Sequence, residues 1–365
     1  MSLMILDKGA LAPLVNALMA DYRVVGPQAK GPQFVFEPIT DPVQLRLDYN
    51  TTILPPKKVL QPPQERLATF TLPPRRWGGQ EGAEEPRVEP VIEAAPTVLL
   101  GVHTCDLHAI RLLDEVFSQD YPDAHYLERR RQTVIVSMEC LEPCDEHSFC
   151  KSMGTLTADE GYDLHLTDLG PAYAVDVATE AGEQVLSRYG TANETTDADV
   201  RRLNEVLSAK WPRFTYRLDF DAAELPALLS MAYDHPLWAE LGKRCLACGS
   251  CTNVCPTCYC FNVLDEVNVA LTEGERLRRW DSCQLDEFAR VAGGENFREA
   301  RSARQRHRFM RKGKYIYEKF GELGCVGCGR CIRTCVANIS IVDGFNTIHG
   351  SVEGRANHDN IHLYT

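Results

Sequence analysis

The segment Cys245-Leu-Ala-Cys248-Gly-Ser-Cys251-Thr-Asn-Val-Cys255-Pro256 decides the organisation of this 365-residue chain. A second segment, Cys325-Val-Gly-Cys328-Gly-Arg-Cys331-Ile-Arg-Thr-Cys335, repeats its cysteine spacing eighty residues later. Each reads C-x2-C-x2-C-x3-C, the run that holds a [4Fe–4S] cluster while its last Cys reaches across to a second cluster. Iron binds soft thiolates, and the short spacing lets three sulfurs of one loop converge. The two runs therefore predict two [4Fe–4S] clusters.

The predicted ligand sets are crossed, because the last Cys of each run serves the cluster of the other. For the first cluster the ligands are Cys245, Cys248, Cys251 and Cys335. For the second cluster they are Cys325, Cys328, Cys331 and Cys255. About seventy residues, from Pro256 to Gly324, separate the runs. We expect this insert to be mostly helical, unlike the short connection of a compact ferredoxin.

Composition and charge indicate an ordinary folded protein. Hydrophobic residues make up 44% of the chain and charged residues 25%, which excludes global disorder. The first 22 residues lack the features of a secretory signal, and no apolar run reaches eighteen residues, so no membrane span is predicted. We therefore expect a cytoplasmic protein whose fifteen Cys stay reduced and bind metal. The net charge of −12 argues against nucleic-acid binding.

The predicted fold class is α+β: an N-terminal α/β domain (1–220) followed by a mainly helical dicluster ferredoxin-like domain (221–345) and a C-terminal tail (346–365). In the first domain, the strand Thr97–Val102, a helix through Phe117 and the strand Thr133–Val136 suggest a parallel crossover. No nucleotide-binding fingerprint occurs, so no nucleotide cofactor is predicted in this chain. No motif for acid–base or nucleophilic catalysis occurs either.

Further elements follow from periodicity and composition. The spacing predicts an opening helix within 1–22, an extended arm over 52–65, a mobile surface loop over 74–95, and helices at 197–209 and 222–232. It also predicts strands at 34–36, 43–47, 67–72, 163–166 and 173–177.

A third cluster is a candidate in the N-terminal domain. Cys105 follows one predicted parallel strand, and Cys140, Cys144 and Cys150 follow the next. Because adjacent parallel strands end side by side, these four thiols are expected at one sheet edge. The alternative is that they are small buried apolar residues. His147 lies in the same segment, and a surface position is favoured over ligation.

Two further groups of residues leave alternatives open. Three cysteines lie outside the groups named so far: Cys258, Cys260 and Cys283. They are too few for a separate four-thiolate site, so we favour a position around the first run's cluster or a purely structural role. The basic run from Arg298 to Lys314 is interpreted as a solvated helix face or as a docking surface for an acidic partner; a nucleic-acid contact is disfavoured.

Several phrases resemble the iron–sulfur beta subunit of cytoplasmic sulfhydrogenases, which are NAD(P)-linked [NiFe] hydrogenases. The chain is equally similar to the iron–sulfur subunit of anaerobic sulfite reductase. The phrases are Cys105–Ile110, Tyr126–Arg130, Cys140–Gly154, Arg244–Phe261, Trp280–Cys283 and Gly324–Cys331. The Arg244 phrase and the Trp280 phrase are the most specific, since plain ferredoxins lack both.

The resemblance implies a non-catalytic chain that relays electrons between a hydrogenase module and a flavin- and NAD(P)-binding subunit. The alternatives are a self-contained flavin-dependent reductase and the corresponding sulfite reductase component. Two departures stand out. The family commonly has Cys-Phe-Cys where this chain has Ser148-Phe149-Cys150, so Cys144 would have to replace one thiolate of the third site. Val336 follows the second run where Pro is usual.

Overall fold

A computed structural model describes residues 2–72 and 85–361, with side chains up to residue 352. The strands in these ranges are β1 (Ser2–Asp7), β2 (Arg23–Lys30), β3 (Gln33–Pro38), β4 (Gln64–Thr71), β5 (Arg87–Pro90), β6 (Thr97–His103), β7 (Thr133–Met138), β8 (Leu164–Asp168), β9 (Ala172–Val177), β10 (Asn193–Glu194), β11 (Phe261–Val267) and β12 (Glu273–Trp280). The α-helices are α1 (Lys8–Leu18), α2 (Thr104–Ser118), α3 (Ala124–Arg131), α4 (Glu180–Tyr189), α5 (Asp197–Ala209), α6 (Leu225–Met231), α7 (Leu237–Arg244), α8 (Ser250–Asn253), α9 (Arg301–Met310), α10 (Ile316–Phe320), α11 (Arg330–Arg333) and α12 (Ile341–Ile361).

An eight-stranded mixed sheet forms the N-terminal part, in the order β10-β1-β9-β8-β7-β6-β2-β3. Its centre is parallel, because β2 pairs with β6, β6 with β7 and β7 with β8 in that sense. The predicted parallel crossover from β6 to β7 is therefore confirmed. The carboxyl ends of β6 and β7 lie side by side, and the chain segments that follow them carry cysteines.

Helices cover both faces of this sheet, because the central strands are apolar on both sides. Val98 and Leu100 of β6 pack in one core with α1 and α4, whereas Leu99 packs in another core with α2. A bulge at Gly101 (φ 83°) shifts the register of β6 against β7. A Cβ at this position would lie 2.8 Å from Leu47, so glycine is required there.

A second, antiparallel sheet has the order β11-β12-β4-β5 and joins the two halves of the chain. The insert between the cysteine runs supplies β11 and β12, and β12 pairs with β4 from the N-terminal part. The prediction of a mostly helical insert is thus wrong over 261–280. The hairpin has few buried side chains, and its β-structure depends on pairing with a strand about two hundred residues earlier.

The helical part has its own core, built from α6, α7, α9 and α12. Phe149 and Met153, which follow β7 in the chain, also belong to this core and so tie the two parts together. The helices α7 and α9 approach closely: a Cβ on Gly242 would lie 2.7 Å from the backbone nitrogen of Ser302. Within the described ranges, no helix combines the length and apolarity needed to cross a membrane.

Other local predictions met mixed outcomes. The predicted strands at 34–36, 67–72, 163–166 and 173–177 and the helix at 222–232 are present with shifted ends, and the helix at 197–209 is present with the predicted ends. The predicted strand at 43–47 is wrong: Asp41 caps a 3₁₀ turn at Pro42–Gln44 instead. Residues 2–7 of the predicted opening helix form β1 instead, and α1 begins at Lys8. Residues 74–84 of the predicted loop lie outside the described ranges, and the predicted tail begins within α12.

Candidate iron–sulfur centres

The two cysteine runs fold into matching loops. Ala247 (φ 54°) and Gly249 (φ 77°) are left-handed in the first run, as are Gly327 (φ 68°) and Gly329 (φ 72°) in the second. The short helix α8 begins directly after Gly249, and α11 begins directly after Gly329. Identical spacing has therefore produced identical backbone turns, in which glycine adopts a conformation that other residues rarely accept.

The first group of thiols lines one cavity. Cys245, Cys248, Cys251 and Cys335 all contribute to its wall, so the last Cys of the second run lies with three from the first. Polar N–H groups point at these sulfurs. The amide of Gln305 donates to Cys245 Sγ at 2.8 Å, and backbone N–H groups donate to Cys245 Sγ and Cys335 Sγ at 3.3 Å each. Such donors stabilise thiolates, as the ligands of a cluster require.

The second group is buried more deeply. Burial, assisted by the negative charge of Cys255, raises the pKa of Cys325 and of Cys328 to about 12. The same two causes raise the pKa of Cys331, although Arg308 opposes them. These thiols are close enough to Cys255 for their charges to interact. Buried thiols of this kind stay protonated unless a cation replaces the proton, which iron does on binding.

The third group gathers beside the second run. Cys105, Cys140 and Cys150 pack in one small core together with Val326 and against Cys328. Burial, assisted by the charge of the nearby Cys144, raises the pKa of Cys150 to about 12. The loop of the second run lies directly on this group, since a Cβ on Gly327 would be 2.6 Å from the backbone of Cys150. The four candidate thiols therefore meet at the carboxyl edge of β6 and β7.

Three polar residues around the third group, His103, Ser148 and His147, differ in their burial and in their contacts. Cys144 Sγ lies 3.8 Å from Nδ1 of His103, and burial lowers the pKa of that histidine to about 4. Ser148, which stands where the resembling family has Cys, is buried and donates its hydroxyl to Asp145 at 3.2 Å. The ring of His147 stacks edge-on against Tyr216 and is partly exposed.

Of the three remaining cysteines, Cys258 and Cys260 lie on the Cys255 side of the second group, and Cys283 lies near Cys260 and near Cys251 of the first group. Cys258 hydrogen-bonds to Cys255, which lowers the pKa of Cys255, while Cys260 hydrogen-bonds to Cys283. The pKa of Cys260 is lowered to about 6, first by this bond with Cys283. In the chain, Cys258 and Cys260 directly precede β11, and Cys283 follows the end of β12.

Buried cations around these thiols were missed by sequence reasoning. Arg308 and Lys312 of the basic run are buried, as is Lys57 from the predicted arm. A solvated helix face is therefore the wrong interpretation for Arg308 and Lys312. Gln305, on the same face of α9, was missed as well. Its spacing from Arg308 and Lys312 was the available signal, since three and four residues separate neighbours on one helix face.

The donor chemistry fits iron–sulfur clusters. Within residues 2–72 and 85–352, no three Cys, His, Asp or Glu side chains converge on one point as the ligands of a single metal ion do. The ligands of a cubane instead surround a four-iron core, one thiolate for each iron. A cavity lined by four thiols, with amide donors aimed at the sulfurs, is suited to hold such a core.

Comparisons with known proteins agree with this chemistry. The family model described as a 4Fe-4S dicluster domain matches residues 244–339, which span both runs and the insert. Sulfhydrogenase 2 subunit beta of Pyrococcus furiosus is 36% identical over 328 residues, which are 90% of this chain and 92% of that protein. No solved structure matches the chain.

Proposed function

The chain belongs to the family of sulfhydrogenase beta subunits, and from this premise we propose that it is the electron-transferring iron–sulfur subunit of a multisubunit oxidoreductase. The observation that carries the proposal is the cavity in which three thiols of the first run meet Cys335 of the second. A cluster exchanges one electron at a time, so clusters in series connect a two-electron flavin to one-electron partners. The role of the protein is to hold them at fixed separation and potential.

The proposed ligand sets are the crossed ones. Two observations support them: Cys335 lines the cavity of the first group, and the charges of Cys325, Cys328 and Cys331 interact with that of Cys255. Each run would then contribute ligands to both clusters, so neither cluster could form without both loops in place. The insert between the runs would be held rigidly by the same arrangement.

A third [4Fe–4S] cluster is proposed at Cys105, Cys140, Cys144 and Cys150. Its support is their packing at one edge of the sheet, against Cys328 of the second group. The three sites would then adjoin one another in the order first, second, third. Electrons entering at the first site, where Cys248 is exposed, would pass inward toward the N-terminal sheet.

The proposed partners are a hydrogenase module and a flavin- and NAD(P)-binding subunit. The support is the name of the P. furiosus relative, which describes one component of a sulfhydrogenase. The relative favours this complex over a sulfite reductase or a self-contained flavin reductase. Bound flavin in the isolated chain would contradict the relay role.

The experiment is the iron and sulfide content of the chain after anaerobic purification. At four irons per cubane, two clusters correspond to about eight irons and three clusters to about twelve. Cys248→Ser and Cys140→Ser should each reduce the content by about four irons, from different sites. The matched control is Cys283→Ser, which should retain the full content. A chain that binds no iron, or a Cys248→Ser variant that loses none, would contradict the proposal.

A further inference from the structure

One face of α9 and of the π-helical turn that continues it (Arg311–Tyr315) runs along the cysteine groups. Gln305, Arg308 and Lys312 are spaced by three and four residues, so they share this face. Gln305 donates to Cys245 Sγ in the first group. The charge of Arg308 interacts with the thiols of Cys251 and Cys331, one in each group. Arg308 therefore lies between the first and second groups.

Two lysines surround the second group. Lys312 is 7% exposed, and its ammonium donates to the hydroxyl of Thr257, whose oxygen lies 3.3 Å from Cys255 Sγ. Lys57 is 2% exposed, and its ammonium donates to the carbonyl of Cys258. The same ammonium lies 4.4 Å from the centre of the Trp280 ring. Both positive charges are thus held close to the Cys255 side of the second group.

These lysines have no acidic partner in the part of the chain that the structure describes up to residue 352. The groups whose charges act on them are thiols and each other. Arg330 provides the contrast, because it is equally buried and is neutralised by Asp106 at 2.6 Å through both nitrogens. A buried cation without a counter-ion is strongly destabilising. The anionic thiolates and the cluster they hold are the charges that remain to balance Lys57 and Lys312.

We propose that Lys57 and Lys312 raise the reduction potential of the second cluster above that of the first, so that a single electron rests on the second. The inference depends on the proposed electron-transfer function and its crossed ligands. Reduction adds a negative charge to a cluster, and a fixed positive charge nearby stabilises that reduced form. At the first cluster, the donor to the sulfur is the neutral amide of Gln305. The cation beside Cys245, Arg301, donates to its carbonyl at 2.7 Å but is exposed, so solvent screens its charge. Arg308 acts on both clusters.

The test is an anaerobic redox titration of the iron-loaded full-length chain, followed by EPR. Lys312→Met and Lys57→Met should each lower the potential of the second cluster by about 59 mV or more, which is a tenfold change in a one-electron equilibrium. The second cluster is identified as the one whose signal remains in both Cys248→Ser and Cys140→Ser, which remove the first and the third cluster respectively. Lys312→Arg keeps the charge and should retain most of the potential. Lys319→Met removes an exposed lysine and should change neither potential.

A separate variant tests whether a change beside one cluster alters the potential of that cluster alone. Gln305→Leu removes the amide donor at Cys245 and should lower the potential of the first cluster while leaving the second unchanged. Unchanged potentials in both lysine variants, at full iron content, would overturn the inference and leave the electron-transfer function standing. Equal shifts of both clusters would also overturn it. If Lys312→Met loses iron, Lys57→Met and Lys312→Arg decide the outcome.

Discussion

The buried ion pair between Arg330 and Asp106 is expected to hold the second cysteine run against the N-terminal sheet. The guanidinium donates to both carboxylate oxygens at 2.6 Å, and the two side chains are 2% and 0% exposed. Arg330 also donates to the carbonyl of Thr52 at 3.1 Å. Since Arg330 lies between Cys328 and Cys331, and Asp106 follows Cys105, the pair joins the loop of the second run to the third group of thiols.

Removing both partners should cost less than the sum of the two single losses. At a separation of about 4 Å and an effective dielectric constant of about 20, two unit charges attract by about 4 kcal/mol. Loss of one member of a buried pair typically costs about 3–5 kcal/mol, because the other charge is left without a partner. We therefore expect Arg330→Met and Asp106→Asn each to lower the free energy of unfolding by about 3 kcal/mol or more. The double variant should lose at least about 2 kcal/mol less than the sum.

The assay is urea unfolding of the iron-loaded chain under anaerobic conditions, followed by cluster absorbance and far-ultraviolet circular dichroism. With equal slopes, the midpoints of the four proteins give the coupling free energy. The matched control is the exposed pair Lys319–Asp120, with a 2.8 Å contact and side chains 55% and 65% exposed. Its loss should cost less than about 1 kcal/mol. Additive losses from the Arg330 and Asp106 variants would refute the reasoning.

Two further predictions concern a histidine and a glycine. Burial, with help from Arg298 and Arg311, lowers the pKa of His307 to about 4; its neutral form is therefore favoured in the folded chain, and stability should fall as the pH drops from about 6.5 to about 4. The His307→Gln variant should lack this pH-dependent loss of stability, which is at most about 3 kcal/mol and smaller in practice because the ring is only half-buried. Urea midpoints measured across this pH range give the loss, and a variant with the same pH profile as the unmodified chain would contradict the prediction. Gly329→Ala should reduce the iron content, since φ is 72° and the new Cβ would lie 2.6 Å from a backbone oxygen. The control Gly321→Ala has a similar φ of 75° but no atom within 4 Å of the new Cβ, so it should keep all its iron and lose only about 1 kcal/mol of stability. Equal iron in the two alanine variants would show that the close contact is unimportant.

Much of the helix and strand pattern of the N-terminal part could be predicted from local sequence. The strand Thr97–His103 is mostly apolar and is buried along its whole length, as expected for a central parallel strand, and β7 has the same character. The helix α5 was predicted at its observed bounds, Asp197–Ala209, from the helical spacing of its apolar residues, and the structure adds a capping box at Thr196. The signals that define these elements, apolar periodicity and helix caps, lie within the elements or a few residues from their ends, so they can be recognised in the local sequence.

The failures occurred where distant partners decided the structure. The hairpin of β11 and β12 exposes most of its side chains, and it is a β-structure because β4 provides a third strand. The basic run looks like a solvated face because burial of a lysine is unfavourable in general. Lys312 is buried because thiols on other segments surround it. Neither fact is visible in the residues nearby.

The sequence alone determined the cofactor class and the family of this protein, because three thiol ligands of each predicted cubane lie within seven residues and this spacing is recognisable without knowledge of the fold. Only the tertiary structure decided which charges surround these thiols. It brought Cys335 to the cavity of the first run, Cys105 beside Cys328, and Lys57 to the side of Cys255. Electrostatic interactions depend on distance in space, and residues far apart in the chain reach those distances only after folding.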